Sequence, residues 1–162
     1  MPAFINKRDL IARSIAKLAI DLEQLTTAAL ATHAEATNEE NKAEDKYDTR
    51  GLEASYLAHG QSKAAEQAAQ AVAQFQKLPI RDLSAGEPIS LGALVVLEGQ
   101  SQSHYFIGPR AGGTEIRIDG RTVMVITPQS PLGRQLMGRK QGDTLQLDLG
   151  GQRNEFLVAS VV

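Results

Sequence analysis

The chain has 162 residues and a formal net charge of −2, a length that suits one compact domain or two small ones and excludes a large multidomain enzyme. The balance of 17 Lys and Arg against 19 Asp and Glu excludes a strongly cationic nucleic-acid binder, and the absence of cysteine excludes disulfides, thiolate metal sites and cysteine nucleophiles. No apolar run approaches the roughly 20 residues of a membrane span, and residues 1–8 lack the apolar core of a signal peptide, so we expect a cytoplasmic protein with no membrane partner.

The first half of the chain is predicted to be helical. Residues up to Lys77 are rich in Ala, Gln, Glu, Lys and Leu, and between Lys7 and Lys77 there are two glycines and no proline. Two long helices are the simplest interpretation of this pattern. Pro79 ends it, because proline lacks an amide hydrogen and disfavours helix in the residue before it.

Both predicted helices carry a seam of apolar or small residues with heptad spacing. The first seam comprises Ile11, Ile15, Leu18, Leu22, Leu25, Ala29, Thr32 and Ala36. The second seam, made mostly of alanine, comprises Ala54, Ala58, Gln61, Ala65, Ala68, Val72 and Phe75. A seam of large side chains facing a seam of small ones packs closely, so we predict an antiparallel helical hairpin whose turn is centred near residue 43.

The second half of the chain is predicted to be a small β domain. β-branched residues alternate with polar ones there, and the predicted strands are 91–97, 103–107, 114–118, 122–126, 144–149 and 154–162. Gly150-Gly151 is a hairpin turn signal, and residues 108–113 are more typical of a hairpin loop than of a phosphate-binding loop. Ser130 and Pro131 suit the start of a short helix that Gly138 ends.

Acidic residues concentrate where the predicted hairpin turns. Between residues 35 and 53 there are three basic residues and seven acidic ones, namely Glu35, Glu39, Glu40, Glu44, Asp45, Asp48 and Glu53. Carboxylates crowded at the end of a narrow rod repel one another unless a cation or a basic partner arrives, and Mg²⁺ prefers such oxygen ligands. A solvated helix turn, in which acids cap helix N-termini, explains the same pattern.

Two other kinds of site have little support. His33, His59 and His104 show no metal-ligand spacing, so surface or packing roles explain them better. The sequence has no Gly-x-Ser-x-Gly nucleophile elbow, which disfavours a serine hydrolase.

With these elements in place, the chain resembles the Gre-type bacterial transcript-cleavage factors, GreA and GreB. The most specific stretch is residues 126–143, with a strand, Ser-Pro, a short helix ending in glycine, a charged turn and Gly-Asp. The resemblance implies an α+β fold with an N-terminal antiparallel coiled-coil hairpin and a C-terminal FKBP-like antiparallel β domain. The expected domains are a hairpin over 1–78 with its acidic tip near 39–50, a linker over 79–88, and the β domain over 89–162.

The resemblance also implies a partner, RNA polymerase. In this interpretation the β domain docks at the rim of the polymerase's secondary channel through Ser130, Pro131, Arg134, Arg139 and Lys140. The same charges are equally consistent with a solvated turn. The coiled coil enters the channel, where it meets the RNA 3′ end. The DNA of the elongation complex is a further expected contact. The factor itself is expected to be a monomer.

The tip acids are the expected functional residues. The resemblance implies that they help hold a Mg²⁺ shared with the polymerase, which then cuts its own backtracked RNA, so the factor is not itself an enzyme and binds no cofactor alone. Asp45 and Asp48 are the first choice for this role and for contact with the metal, followed by Glu44 and then Glu40.

The tip departs from the family pattern of an acid, two residues and Glu-Asn. Glu40-Asn41 reproduces the Glu-Asn pair, but Thr37 stands where the first acid is expected. Asp45 and Asp48 reproduce the acid spacing without the asparagine. Two alternatives therefore stay open, a channel-blocking inhibitor of RNA polymerase and a non-catalytic coiled-coil interaction module.

Overall fold

The computed structural model of the chain describes residues 4–37, 50–149 and 151–162. It divides into two compact units, one formed by Met1–Ser14 together with Gln74–Val162 and the other by Ile15–Ala73. The predicted domain limits at residues 78 and 89 stay a prediction. No helix within the described ranges is long and apolar enough to cross a membrane.

Two long helices open the described chain, as the sequence predicts. Helix α1 spans Lys7–Thr37 and helix α2 spans Arg50–Lys77. The side chain of Asn6 begins α1 by accepting a hydrogen bond from the backbone amide of Asp9 at 3.1 Å, which satisfies one of the amides left free at a helix start. The predicted turn near residue 43 lies outside the described residues.

The unit Ile15–Ala73 is built from these two helices, packed together along the predicted seams. Every seam residue of this unit whose side chain is described is buried or half-buried, and Leu18, Ala29 and Ala58 are at most 7% exposed. By contrast, Ile20 and Leu30, which lie off the seam, are 56% and 66% exposed. The prediction of a helical hairpin with a large-to-small seam is therefore confirmed for the described positions.

The other unit is organised around a six-stranded sheet. Its strands are β1 (Leu94–Glu98), β2 (Gln102–Ile107), β3 (Glu115–Ile118), β4 (Arg121–Ile126), β5 (Thr144–Leu149) and β6 (Gln152–Val161). A short helix, α3, spans Pro131–Leu136 between β4 and β5. All six predicted strands and the predicted short helix are present, and the α+β fold class is confirmed. Leu149 pairs with Gln152, so the chain reverses where the Gly-Gly turn was predicted.

The sheet is mixed, not wholly antiparallel as predicted. Its strand order is β3-β4-β2-β1-β6-β5, and β2 runs parallel to β4. Residues 108–113 are therefore not a hairpin loop, because they carry the chain from β2 past the position of β4 to the edge strand β3. Alternation of side chains predicts which face a residue occupies but not which strand lies beside it, so the pattern did not reveal this crossing.

The sheet buries side chains on both faces. Val95 and Leu97 lie on one face, in a core cluster that includes Leu136 of α3. On the other face Phe106 packs against Phe75, from the end of α2, with ring centroids 6.2 Å apart and an interplanar angle of 40°. Both rings are at most 1% exposed. The last turn of α2 is thus part of the core of the sheet.

We predict that Phe75→Ala destabilises the unit that contains the sheet by about 3–5 kcal/mol, because it removes a buried ring and leaves a cavity against Phe106. Phe4→Ala is the matched control, since the Phe4 side chain is 78% exposed. Equilibrium urea unfolding followed by circular dichroism measures both changes. Equal, small losses for the two variants would contradict the packing described here.

Candidate functional site

The four predicted tip acids, Glu40, Glu44, Asp45 and Asp48, lie outside the described residues. Their roles, including contact with a metal, stay a prediction. Within residues 4–37, 50–149 and 151–162, no group of three or more His, Cys, Asp or Glu side chains is arranged to hold a metal ion. The candidate site that the structure does describe is the predicted docking region around α3.

We call this region the α3 edge, defined by Ser130, Pro131, Arg134, Arg139 and Lys140. Ser130 is the N-cap of α3, and its hydroxyl accepts a hydrogen bond from the backbone amide of Gly133 at 3.0 Å. The same hydroxyl donates to the carbonyl oxygen of Thr127 at 2.7 Å. Pro131 takes the first helical position, where its missing amide hydrogen costs nothing. The Ser-Pro pair therefore fixes the start of α3, as the sequence predicts.

Gly133 allows the chain to fold tightly at this start. A Cβ atom at residue 133 would lie 1.9 Å from the carbonyl oxygen of Thr127 and 2.8 Å from the Ser130 hydroxyl oxygen. Neither neighbour is a flexible side-chain end that can simply move aside, so a larger residue must displace the backbone. The glycine is a requirement of the Ser130 cap and not of a ligand.

The α3 edge is held by backbone hydrogen bonds to Ile89, a core residue that precedes β1. Leu136 is fully buried in the core cluster. The amide of Ile89 donates to the carbonyl oxygen of Arg139 at 2.7 Å, and the amide of Gly138 donates to the carbonyl oxygen of Ile89 at 3.0 Å. Gly138 makes this path possible with a φ of 83°, a conformation that glycine adopts readily. The edge is thus held in place by reciprocal bonds on both sides of Ile89.

The charges of the α3 edge face solvent. Arg134, Arg139 and Lys140 are exposed. Arg139 reaches back so that its Nε donates to the carbonyl oxygen of Gln135 at 3.4 Å. The Asp143 carboxylate accepts a hydrogen bond from the backbone amide of Lys140 at 2.8 Å and so caps the turn. The Lys140 side chain itself is exposed. Three exposed cations on a backbone held in place form a surface that suits an acidic patch of a partner protein.

Sequence reasoning missed a second polar feature, at the start of α1. Lys7 is only 4% exposed, and its Nζ donates to the carbonyl oxygen of Arg81 at 2.8 Å. Burial lowers the pKa of the Lys7 ammonium, whereas the carboxylate of Asp82 acts in the opposite direction. Nothing in the sequence marks Lys7 for burial, because a lysine in the first turn of a helix ordinarily reads as a solvated charge.

The segment that follows α2 carries an ion pair that was also not foreseen. Arg81 and Glu87 lie 3.2 Å apart, Nη1 to Oε2, and the backbone amide of Ser84 donates to the same carboxylate. The hydrogen bond from Arg81 and then that from Ser84 lower the pKa of Glu87. Residues 84–87 form a turn within the segment predicted as a linker, closed by a hydrogen bond from the amide of Glu87 to the carbonyl oxygen of Ser84 at 3.0 Å.

Comparison with known proteins decides the family. No family model matches the chain. Over 124 residues, 74% of this chain and 75% of the relative, it is 31% identical to the transcription inhibitor protein Gfh1 of Thermus thermophilus. Gfh1 is GreA factor homolog 1. The chain belongs to the Gre factor family. The resemblance found in the sequence is confirmed.

Two further proteins are similar to this Gre-family protein. Gfh1 of Thermus aquaticus is 29% identical over 124 residues, which cover 74% of each chain. A solved structure of the transcription factor Gfh1 aligns with 92% of this chain and 93% of its own, at 25% identity and a TM-score of 0.40. The assignment rests on the sequence relation to the curated Gfh1 proteins alone.

We predict opposite effects for two glycine-to-alanine substitutions in this Gre-family protein. Gly133→Ala forces the start of α3 to move and destabilises its unit by about 1–3 kcal/mol, the usual range for overpacking. Gly60→Ala stabilises α2 by about 0.5–1 kcal/mol, because residue 60 is helical with open space around it.

The two glycine variants are compared by thermal unfolding and by amide chemical shifts. Gly133→Ala should shift the amides of Ser130 and Gly138, and Gly60→Ala should leave them unchanged. A stable Gly133→Ala variant with unshifted amides at the α3 edge would contradict the close approach to Thr127.

Proposed function

We propose that this protein regulates transcription by binding RNA polymerase at its secondary channel, and that its effect is inhibitory. The β-sheet unit docks at the channel rim through the α3 edge, and the helical hairpin enters the channel. The protein does not cleave RNA by itself. The observation that carries this proposal is the 31% identity to a Gre-family protein described as a transcription inhibitor.

The exposed charges of the α3 edge support docking to an acidic surface. Arg134 and Arg139 project from a segment whose backbone is fixed, so binding costs the freedom of their side chains but little backbone entropy. Charged rims of this kind mainly raise the association rate and set orientation. Binding should therefore weaken as salt rises, since exposed charges are screened over about 8 Å at physiological ionic strength.

The acidic tip supports a role close to the polymerase's catalytic centre. Carboxylate oxygens are the donors that Mg²⁺ prefers, so Asp45 and Asp48, with Glu44 and Glu40 near them in sequence, would hold a Mg²⁺ shared with the polymerase. Bound there, the metal would supply charge stabilisation for phosphoryl transfer. The factor's own residues fill the channel and place the tip carboxylates near the polymerase's catalytic Mg²⁺, and the contact of these carboxylates with that centre is the basis of the inhibitory effect.

Stimulated cleavage of backtracked RNA is the second candidate function. The observation that favours it is the spacing of Asp45 and Asp48, which matches the acid spacing expected of cleavage factors. The observation against it is Thr37, which replaces the acid expected before Glu40-Asn41. The two functions share the same docking and differ in the sign of the effect on RNA synthesis.

Docking is tested by charge reversal. Arg134→Glu/Arg139→Glu should weaken binding to RNA polymerase by about tenfold at low salt, because two favourable rim charges become repulsive. Arg110→Glu/Arg153→Glu is the matched control, since both of these arginines are exposed and lie outside the α3 edge. Fluorescence anisotropy of labelled protein over a salt series measures both. Equal weakening by the two double variants would assign the loss to net charge and contradict docking at the α3 edge.

The tip is tested on polymerase elongation complexes with Mg²⁺. We expect the protein to slow nucleotide addition without speeding cleavage of backtracked RNA, and Asp45→Ala/Asp48→Ala to lose most of this inhibition while still binding. Asp148→Ala/Glu155→Ala, which removes two exposed acids of the sheet, should inhibit like the original protein.

Each other outcome of the elongation assay rejects part of the proposal. Faster cleavage that the tip variant loses would replace the inhibitory effect with the second candidate function. Absence of any binding to polymerase would reject both and leave the coiled-coil interaction module.

A further inference from the structure

A cavity lies on the face of the sheet that also carries Phe106. It is open to solvent on one side, has a volume of about 740 Å³ and lies wholly within the unit formed by Met1–Ser14 and Gln74–Val162. Its walls come from the chain entering α1, from residues 80–82, and from strands β1, β2, β4 and β6. Phe75 covers the neighbouring part of the same face at Phe106. The cavity is thus the part of a sheet face that the helix ends leave uncovered.

The floor and the rim of this cavity differ in chemistry. Apolar side chains such as Leu94 and Val96 form the floor, and Ile80 at the rim is 43% exposed. Among the described lining residues, the acid is Asp82 and the cations are Lys7, Arg8, Arg81 and Arg121. Arg81 is paired with Glu87, which lies outside the lining. Four cations against one acid make the described lining positively charged.

Lys7 makes this charge excess unusual. Its side chain is 4% exposed, and the bond to the carbonyl oxygen of Arg81 uses one of the three donors that an ammonium carries. Burying a charged group costs free energy unless charged or polar partners compensate it. Asp82 supplies part of that compensation, and an anion in the cavity would add to it. Arg8 and Arg121 line the same space and would attract the same anion.

We propose that this cavity binds a small organic anion, with a phosphate or carboxylate head on the cations and an apolar body on the sheet face. Its volume falls within the range of about 300–1,000 Å³ that small-molecule sites occupy, and such sites combine apolar walls with a few placed polar groups. The site requires no polymerase, so it stands or falls independently of the proposed function.

An acidic peptide fits the cavity less well than a small anion. Extended peptides gain affinity by adding main-chain hydrogen bonds at a sheet edge. The cavity lies over β1, β2 and β6, whereas the edge strands are β3 and β5. Strand β1 is paired on both sides, so its main-chain groups are already engaged. Along β1 the cavity therefore offers a peptide no free strand edge.

His104 provides a reporter inside the cavity. Burial lowers the pKa of its imidazole, and the positive charge of Arg121 lowers it further. The charged groups that line the cavity with His104 are Lys7, Arg8, Arg81, Asp82 and Arg121. An anion bound among these cations should raise the His104 pKa, because it stabilises the imidazolium form.

The test uses hexyl phosphate as the probe and the full-length chain labelled with ¹⁵N. We expect saturable shifts at the amides of Val96, His104 and Ser160 and a rise in the His104 pKa. Hexyl phosphate should bind about tenfold more tightly than hexanol, which lacks the anionic head, or inorganic phosphate, which lacks the apolar body. Arg8→Gln should weaken binding about threefold to tenfold, the loss of one charge-assisted contact. Arg110→Gln, an exposed arginine outside the cavity, is the matched control.

Three results would overturn the proposal. Equal binding of hexanol and hexyl phosphate would show that the cavity binds the apolar chain alone and does not recognise the anion. Equal weakening by Arg8→Gln and Arg110→Gln would reduce the effect to net charge. Tighter binding of an acetylated hexaglutamate peptide than of hexyl phosphate, at the same amides, would make the face a protein contact. Arg8 is exposed, so its substitution leaves the fold intact and each result can be interpreted.

Discussion

The contact between Phe75 and Phe106 is the constraint on which the unit containing the sheet depends. It buries two aromatic rings, one from the last turn of α2 and one from the strand β2. Gly108 leaves room for this contact. A Cβ atom at residue 108 would lie 2.9 Å from the Phe75 ring and 2.8 Å from the Val125 side chain, and glycine has no such atom. The sheet thus has a core on each face. One lies beneath α3, and the other lies beneath the start of α1 and the end of α2. The α3 edge belongs to the first core, and the cavity beside Lys7 borders the second.

Much of this architecture follows from local sequence signals. The heptad seams, the six alternating strands and the Ser-Pro start of α3 were all predicted, because each depends on residues close together in the chain. Strand neighbours were harder to predict. The hairpin β3–β4 turns at Asp119 and Gly120, both with positive φ, but that turn does not reveal that β4 lies beside β2 in parallel. That pairing depends on contacts distant in sequence, which alternation does not encode.

The candidate sites show the same division. The start of α3 was predicted correctly, because an N-cap serine followed by proline leaves a recognisable pattern. The docking role of the α3 edge stays a prediction. The burial of Lys7 was not predicted, because it depends on residues distant in sequence. Residues 80–82 pass the start of α1, where the carbonyl oxygen of Arg81 accepts a hydrogen bond from the Lys7 ammonium. The tip acids were chosen from composition and from family spacing, and they lie outside the described residues. Their function therefore depends on family membership and on experiment.

The proposed function requires that the hairpin carry its acidic tip to the catalytic centre of RNA polymerase. The most direct measurement is site-specific cross-linking from a benzophenone side chain placed at Ala43, between the tip acids, in complex with the polymerase. We expect cross-links to polymerase segments beside the catalytic Mg²⁺, and a lower cross-link yield at sub-saturating concentration for Arg134→Glu/Arg139→Glu, which binds more weakly. Cross-links confined to the outer surface of the polymerase, from a protein that still binds and inhibits, would contradict the proposed function.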